Sequence, residues 1–381
     1  MTKKIAVISG KRGGFGAMIP LIKAIEESVE LELSLIVTDQ HLSDKFGSTI
    51  TEVEKWFKVS HKVDMEQTDD SPLARTKAIA LCMSKMADVF ERDRPDIILI
   101  LGDRGEVFAA ASAAINLGIP IAHIQGGDIS GCVDEFIRHA LTKMSHLHFP
   151  STETSAKRIL NMGEEPWRVH VTGDNHIDLM AQKKYTPAAE LAEKFKLDLN
   201  KPVVLALQHS VTTEPHLAYD HMRELCAALK HYKYRTVLVY PCSDHGYEGI
   251  TRAIEELRGE KWVSIHKNID APDFWGLEAL ASVFVGNSSA GLIETPIHHL
   301  PSITIGNRQI GRQRAENCLS VEPVKGDIIA AIDKCLNDKD FKKVVENCSQ
   351  PFGDGHANER IFKVLKDFEP GPKLFEKKMT Y

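Results

Sequence analysis

A chain of 381 residues, 43% apolar and 26% charged, is longer than one ordinary hydrophobic core supports and suits two domains. A net charge of −6 lacks the basic footprint of a nucleic-acid or acidic-membrane binder, so neither partner is expected. Seven scattered cysteines with no CxxC pair argue against a disulfide framework and a structural zinc site, and no apolar run is long enough for a membrane span or a signal-peptide core, which makes a cytoplasmic location the expectation.

Lys4 to Ser9 reads as a buried parallel strand, followed by the turn Gly10-Lys11-Arg12-Gly13-Gly14-Phe15-Gly16 and a helix marked by Met18, Leu21, Ile22 and Ile25. The turn fits neither GxGxxG nor a Walker loop. It either cradles a phosphate at the helix N-terminus, with Arg12 as the nearby cation, or simply needs glycine torsions. Leu33 to Thr38 predicts a second strand, and Glu52 to Val63 holds a weaker element. Ser71-Pro72 opens a long helix through Phe90, and Asp96 to Leu101 is the next strand. Further elements are a small-residue helix over Val107 to Leu117, a strand over Ile119 to Ile124, and a helix over Val133 to Ser145. A short strand at His146 to Phe149, a helix over Glu153 to Met162 and a strand over Val169 to Gly173 complete the first series. The alternation predicts a doubly wound parallel sheet.

Tyr185 to Lys201 is polar and reads as a linker. A second series follows, with strands at 203–208, 236–240, 263–266, 283–286 and 302–305 and helices between them. The expected organisation is α/β throughout, two doubly wound Rossmann-like domains at residues 1–180 and 181–356 facing a central cleft. A C-terminal helix in 357–381 is expected to cross back to the first domain.

The densest chemistry lies between Leu101 and Phe149. Strand-like runs lead into Gly102-Asp103-Arg104-Gly105-Glu106 and Gly126-Gly127-Asp128, and Asp134-Glu135 falls in the first turn of a helix, where the dipole favours acids. Acids at the carboxyl ends of successive parallel strands converge on one crevice. Arg138-His139, one turn later, is read as an in-helix salt bridge or a substrate contact. His146 and His148 are read as structural, since no third ligand stands at metal-binding spacing.

In the second half, Ser288 and Ser289 cap a helix after a strand, an arrangement that holds phosphate, and Glu294 lies within reach of a ribose diol. Gln208-His209-Ser210 and Cys242-Ser243-Asp244 leave neighbouring strand ends. Arg308, Arg312 and Arg314 are candidates for bidentate contacts to a diphosphate.

Five ordered blocks, GDRGE, HIQGGDISGCVDEFIRHALTKMSHLHF, LQHSVTT, GNSSAGLIE and GNRQIGRQRAEN, resemble the hydrolysing UDP-N-acetylglucosamine 2-epimerases of the sialic-acid pathway, over nearly the whole chain. The resemblance implies the GT-B fold, UDP held mainly on the second domain, no metal or other cofactor, and a homodimer. It implies a reaction that begins with anti elimination of UDP to a 2-acetamidoglucal, followed by hydration that releases N-acetylmannosamine. By the same resemblance Asp103 and Asp134 fall on catalytic acids, Arg104 lies beside the substrate, and Asp178 matches a further acid. Arg12, His209, Ser288, Ser289, Glu294 and Arg308 fall on UDP-contacting positions, and Arg138, His139 and Asp244 are further substrate-binding candidates.

One catalytic position departs from the family motif, which reads HIEGGE where this chain has Gln125. A glutamine cannot take a proton, so Asp128, Glu106 and Glu135 are candidates to replace the lost acid, Asp128 first because it closes the same glycine turn. Two other functions compete with UDP-N-acetylglucosamine as the substrate. One is the same chemistry on a UDP- or GDP-linked 2,4-diacetamido-2,4,6-trideoxy hexose. The other is a GT-B glycosyltransferase or nucleotide-sugar binding module, which the density of acids disfavours.

Overall fold

A computed structural model describes residues 2–44, 47–69, 71–130 and 133–381, without the side chain of Arg12. They form two compact units. Unit one comprises Met1–Asp128, Val133–Leu179 and Phe352–Tyr381, and unit two comprises Ile129–Cys132 and Met180–Pro351.

Unit one is built on the parallel strands β1 (Lys3–Ser9), β2 (Leu31–Thr38), β3 (His61–Val63), β4 (Ile97–Leu101), β5 (Ile121–Ile124) and β6 (Leu147–Phe149), in the order β3-β2-β1-β4-β5-β6. Residues alternate between its two faces as the period of an extended strand requires. Ile5 and Val7 enter one hydrophobic cluster with Phe15, Leu21 and Ile22, while Ala6 and Ile8 enter another with Cys82, Met86 and Phe90. Covering on both faces explains why β4 reads IILIL, apolar at every position and buried throughout. The helix Gly105–Asn116 packs against Pro72–Asp93, and its run of buried alanines permits the close approach.

Unit two repeats the plan with β7 (Val203–Leu207), β8 (Arg235–Val239), β9 (Val263–His266), β10 (Val283–Gly286), β11 (Ser302–Ile305) and β12 (Cys318–Val321), in the order β12-β11-β10-β7-β8-β9. In both sheets the winding reverses at one place, between β1 and β4 and between β7 and β10. Connections there diverge to opposite faces and leave the strand ends open, so the reversal is where such sheets take ligands.

Three sequence expectations are corrected. Residues 169–173 form no strand: only Val169 bridges His148, and the chain then turns at Gly173, whose φ is +86°. The polar stretch 185–201 is not a bare linker but contains the helix Ala188–Phe195, seated by the buried pair Leu191 and Phe195 one turn apart. Its polarity reflects a single buried stripe. The third omission is β12 with the helices Lys325–Asn337 and Lys339–Glu346, which extend unit two beyond β11.

The helix Ala357–Asp367 packs into unit one through Ile361 and Leu365, and Asp178 receives its N-terminus. The Asp178 carboxylate accepts from the amides of Ala357 (3.0 Å) and Asn358 (2.7 Å) and from the Asn358 side chain (2.9 Å). Burial raises the Asp178 carboxyl above its usual range, against the pull of those donors. Removing the cap leaves buried amides unsatisfied. Asp178→Ala should therefore lower the unfolding free energy in urea by about 2 kcal/mol and speed amide exchange over 357–367. Unchanged stability and exchange would contradict the anchoring role.

Candidate active site

In unit one, Leu101 pairs with Ile124 and Ile124 with Phe149, so the segments after β4, β5 and β6 start together at one edge. The chain leaves β4 through Gly102, at φ +82°, and presents Asp103. The Asp103 carboxylate is paired with the guanidinium of Arg138, from the helix Val133–Met144, and Arg138 also donates to the carbonyl of Asp128 at 3.0 Å. Burial works against the charge on Arg138, yet Asp103 and Asp128 outweigh it and raise its pKa. A buried cation without such partners would be strongly destabilising. Asp103 keeps 18% of its side chain exposed, whereas Arg138 keeps 2%, so the acid is the accessible member of the pair.

Arg104 and Glu106 are differently placed. Glu106 is buried with Asp39 between Arg75 (2.9 Å) and Arg104 (3.4 Å), and Arg75 also binds Asp39 at 3.2 Å. Burial and the neighbouring Asp39 push the Glu106 carboxyl up, with the two arginines opposing. Gly10 makes the room for this cluster, since a Cβ there would lie within 2.8 Å of three Glu106 side-chain atoms. Close approach is thus one reason for glycine in the first turn.

The other turn is equally tight. Gly127, at φ +82°, would carry a Cβ 2.3 Å from the carbonyl of Ser155, so only glycine fits. Asp128 beyond it is buried and accepts from the Ser155 hydroxyl. Asp134 and Glu135 occupy the first turn of their helix, and Glu135 lies 3.9 Å from His139 in an i,i+4 pair. Burial and the adjacent Arg138 lower the pKa of His139. His146 accepts from the Ile121 amide at 3.1 Å and His148 contacts buried Glu164 at 3.2 Å, both structural uses.

Gln125 has a left-handed backbone, φ +63°, and its side-chain nitrogen lies 2.9 Å from each oxygen of Asp174 and from Nδ1 of His176. Asp174 is fully buried and also accepts from Ser151 (2.9 Å), from the His176 amide (3.0 Å) and from its ring (2.8 Å). Burial alone would raise the Asp174 carboxyl, but His176 and the bonds from His176 and Ser151 hold it below its usual range. Neither Asp174 nor His176 stood out in the sequence, where only Gly173-Asp174-Asn175-His176 after an apolar segment could have signalled them.

In unit two, Gly286 at φ +148° closes onto β7, where a Cβ would meet the Leu207 carbonyl at 2.0 Å. That contact lets Asn287 bond reciprocally with His209, accepting from its amide at 2.7 Å and donating to its carbonyl at 2.9 Å. The Cys242 amide donates to His209 Nδ1 at 3.1 Å, which puts the ring proton on Nε2 and makes the neutral ring a donor there. Arg308 reaches the Asn287 carbonyl at 3.2 Å and Asp244 at 3.6 Å, and Gln309 donates to the same carbonyl at 2.9 Å. Ser288 is buried, with its hydroxyl 3.4 Å from the Ala290 amide, and Glu294 is buried just beyond the helix Ala290–Ile293. Arg12, assigned to the same ligand, has its side chain outside the described residues. Histidine, arginine, serines and a carboxylate around a strand reversal suit a nucleoside diphosphate.

Comparison with known proteins gives this geometry a family. The chain is 32% identical over 382 residues, all of both chains, to the UDP-N,N'-diacetylbacillosamine 2-epimerase (hydrolyzing) of Legionella pneumophila. It is 31% identical to the UDP-N-acetylglucosamine 2-epimerase of Neisseria meningitidis, covering 88% of each chain. The crystal structure of UDP-GlcNAc 2-epimerase from Neisseria meningitidis bound to UDP-GlcNAc superimposes with a TM-score of 0.82 over 95% of this chain and 99% of that one; at 20% identity this likeness concerns the GT-B fold alone. The family model described as UDP-N-acetylglucosamine 2-epimerase matches residues 23–366, and the chain belongs to that family.

Proposed function

We propose that the protein is a hydrolysing 2-epimerase that converts UDP-N-acetylglucosamine and water to UDP and N-acetylmannosamine. The observation that carries this reading is the accessible Asp103 carboxylate, held by buried Arg138 at the carboxyl end of β4. A hydrolysing relative matched over its full length supports the hydrolysing chemistry. The C2 proton of the sugar is barely acidic, so a base must be positioned against it while the C1–O bond breaks. Its electron pair forms the C1–C2 double bond, and UDP departs with the C1–O pair. Water then adds at C1, and an acid on the opposite face returns a proton to C2. Asp103 and Asp134 are assigned to proton transfer. His209, Arg308 and the two serines carry the charge that grows on the departing diphosphate, and Glu294 accepts from the ribose hydroxyls. Asp178, engaged with the C-terminal helix, is left out of the proton transfers.

A second reading keeps the chemistry and changes the sugar to UDP-N,N'-diacetylbacillosamine, a 2,4-diacetamido-2,4,6-trideoxy hexose. The full-length relative of that name favours it. Both substrates are offered in deuterated water and the products followed by NMR. The expected product is a free sugar with deuterium at C2, together with UDP. Recovery of a UDP-linked epimer would sink the hydrolysing reaction, and turnover of the diacetamido sugar alone would decide for the second reading.

The two sets of residues should fail in different ways. Asp103→Asn is expected to lower kcat by about 10²–10⁴-fold with UDP affinity retained, because it removes a proton-transfer group. His209→Ala is expected to weaken UDP binding by about tenfold in calorimetry, the size of one charge-assisted hydrogen bond. Equal effects of both substitutions on UDP affinity would contradict the division.

A further inference from the structure

Position 125 is where the reaction lacks an acid, and the structure shows what surrounds the glutamine there. Both Asp174 oxygens lie 2.9 Å from the Gln125 side-chain nitrogen, so the amide presents its N–H groups to a carboxylate. A glutamate in that place would set two carboxylates against each other in a buried site, a costly arrangement. The negative charge therefore sits on Asp174, and the glutamine is its complement.

Asp174 in turn holds the ring of His176. Its Oδ1 lies 2.8 Å from Nδ1 and accepts only. With the two hydrogens of the Gln125 amide directed to the two Asp174 oxygens, none is left for Nδ1, and the ring proton is assigned to Nδ1 and the lone pair to Nε2. The ring keeps 15% of its side chain exposed while Asp174 keeps none. A buried carboxylate that orients an imidazole and stabilises its protonated form is the arrangement that makes histidine an effective base. Asp128, the first of the three candidates from the sequence, has its carboxylate turned onto the Ser155 hydroxyl. Gln125 itself extends from β5, next to the segment of β4 that presents Asp103, and its backbone N–H donates to the Phe149 carbonyl at 3.0 Å.

We propose that the Asp174–His176 pair replaces the acid missing at position 125, with Nε2 of His176 taking the proton from C2 of the UDP-linked 2-acetamido sugar. This rests on the proposed function above. In the elimination, Nε2 forms a bond to the C2 proton, the C–H pair becomes the C1–C2 double bond, and the C1–O pair leaves with UDP. The imidazolium is balanced by Asp174 and releases its proton to solvent before the next turnover. The returning proton comes from the Asp103 and Asp134 side. Asp174 is a positioning residue, and His176 is the group that meets the substrate.

The test uses the full-length protein and the UDP-sugar that the wild type turns over. His176→Asn should lower kcat by about 10²–10⁴-fold while UDP affinity stays within about threefold. Free imidazole added to His176→Ala should restore kcat by at least about tenfold, a recovery that a purely structural histidine does not show. Asp174→Asn should lower kcat, because an amide no longer stabilises the imidazolium. A wild-type kcat in His176→Asn, or a loss that imidazole leaves unrestored, overturns the role of the pair. A wild type that releases no UDP from either sugar overturns the proposed function, and this inference with it.

Discussion

Both units depend on the same topological constraint. A parallel sheet wound in opposite senses from a central pair of strands must leave the ends of that pair uncovered, because the connections depart to opposite faces. In unit one the pair is β1 and β4, and in unit two β7 and β10. Asp103 follows β4, while His209 follows β7 and the serines follow β10. The strands themselves are apolar and buried, so polar chemistry has no other place in the sheet to go. Glycines at the exits, Gly102 and Gly286 above all, let the chain turn sharply where side chains would collide.

Within unit one, two sets of buried charges are put to different uses. The cluster of Asp39, Arg75, Arg104 and Glu106 is internally paired, and its acids lie beneath the surface. It ties the segment after β2 and the helix Pro72–Asp93 to the helix after β4, and its charges offset each other where isolated ones would be intolerable. The Arg138 pair is open on one side, because Asp103 retains exposure that Arg138 lacks. A carboxylate held on one side and accessible on the other is suited to exchanging a proton. Sequence proximity placed Arg104 and Glu106 with Asp103, and the fold separates them.

The Gln125 network shows how one substitution changes the meaning of its neighbours. A carboxamide and a carboxylate have nearly the same shape but opposite hydrogen-bonding roles, so an amide at 125 accommodates the charge on Asp174. Ser151 and the His176 amide complete the donors to that buried acid. The histidine is then oriented by a group fully removed from water, where its charge acts at low screening.

Much was legible without coordinates. Runs such as IILIL can satisfy their backbone only as buried parallel strands, and the β–turn–α rhythm fixes the winding, so the α/β class and two sheets followed from periodicity. The glycine turns, the acids after β4 and β5 and the hydroxyls after β10 were visible because each follows a strand at once. Local pattern failed where the cause was distant. Residues 169–173 are apolar enough for a strand, yet only Val169 finds a partner, and the helix 188–195 hides behind a single buried stripe. Partner choice was likewise beyond the sequence. Arg138 pairs with Asp103, 35 residues away, and Gln125 meets His176, 51 residues away. The sequence by itself determined which residue types stand at the strand ends, because spacing and hydrophobicity are local. Only the tertiary structure decided which charges face one another, because burial makes every ionised group depend on a neighbour that chain order does not reveal.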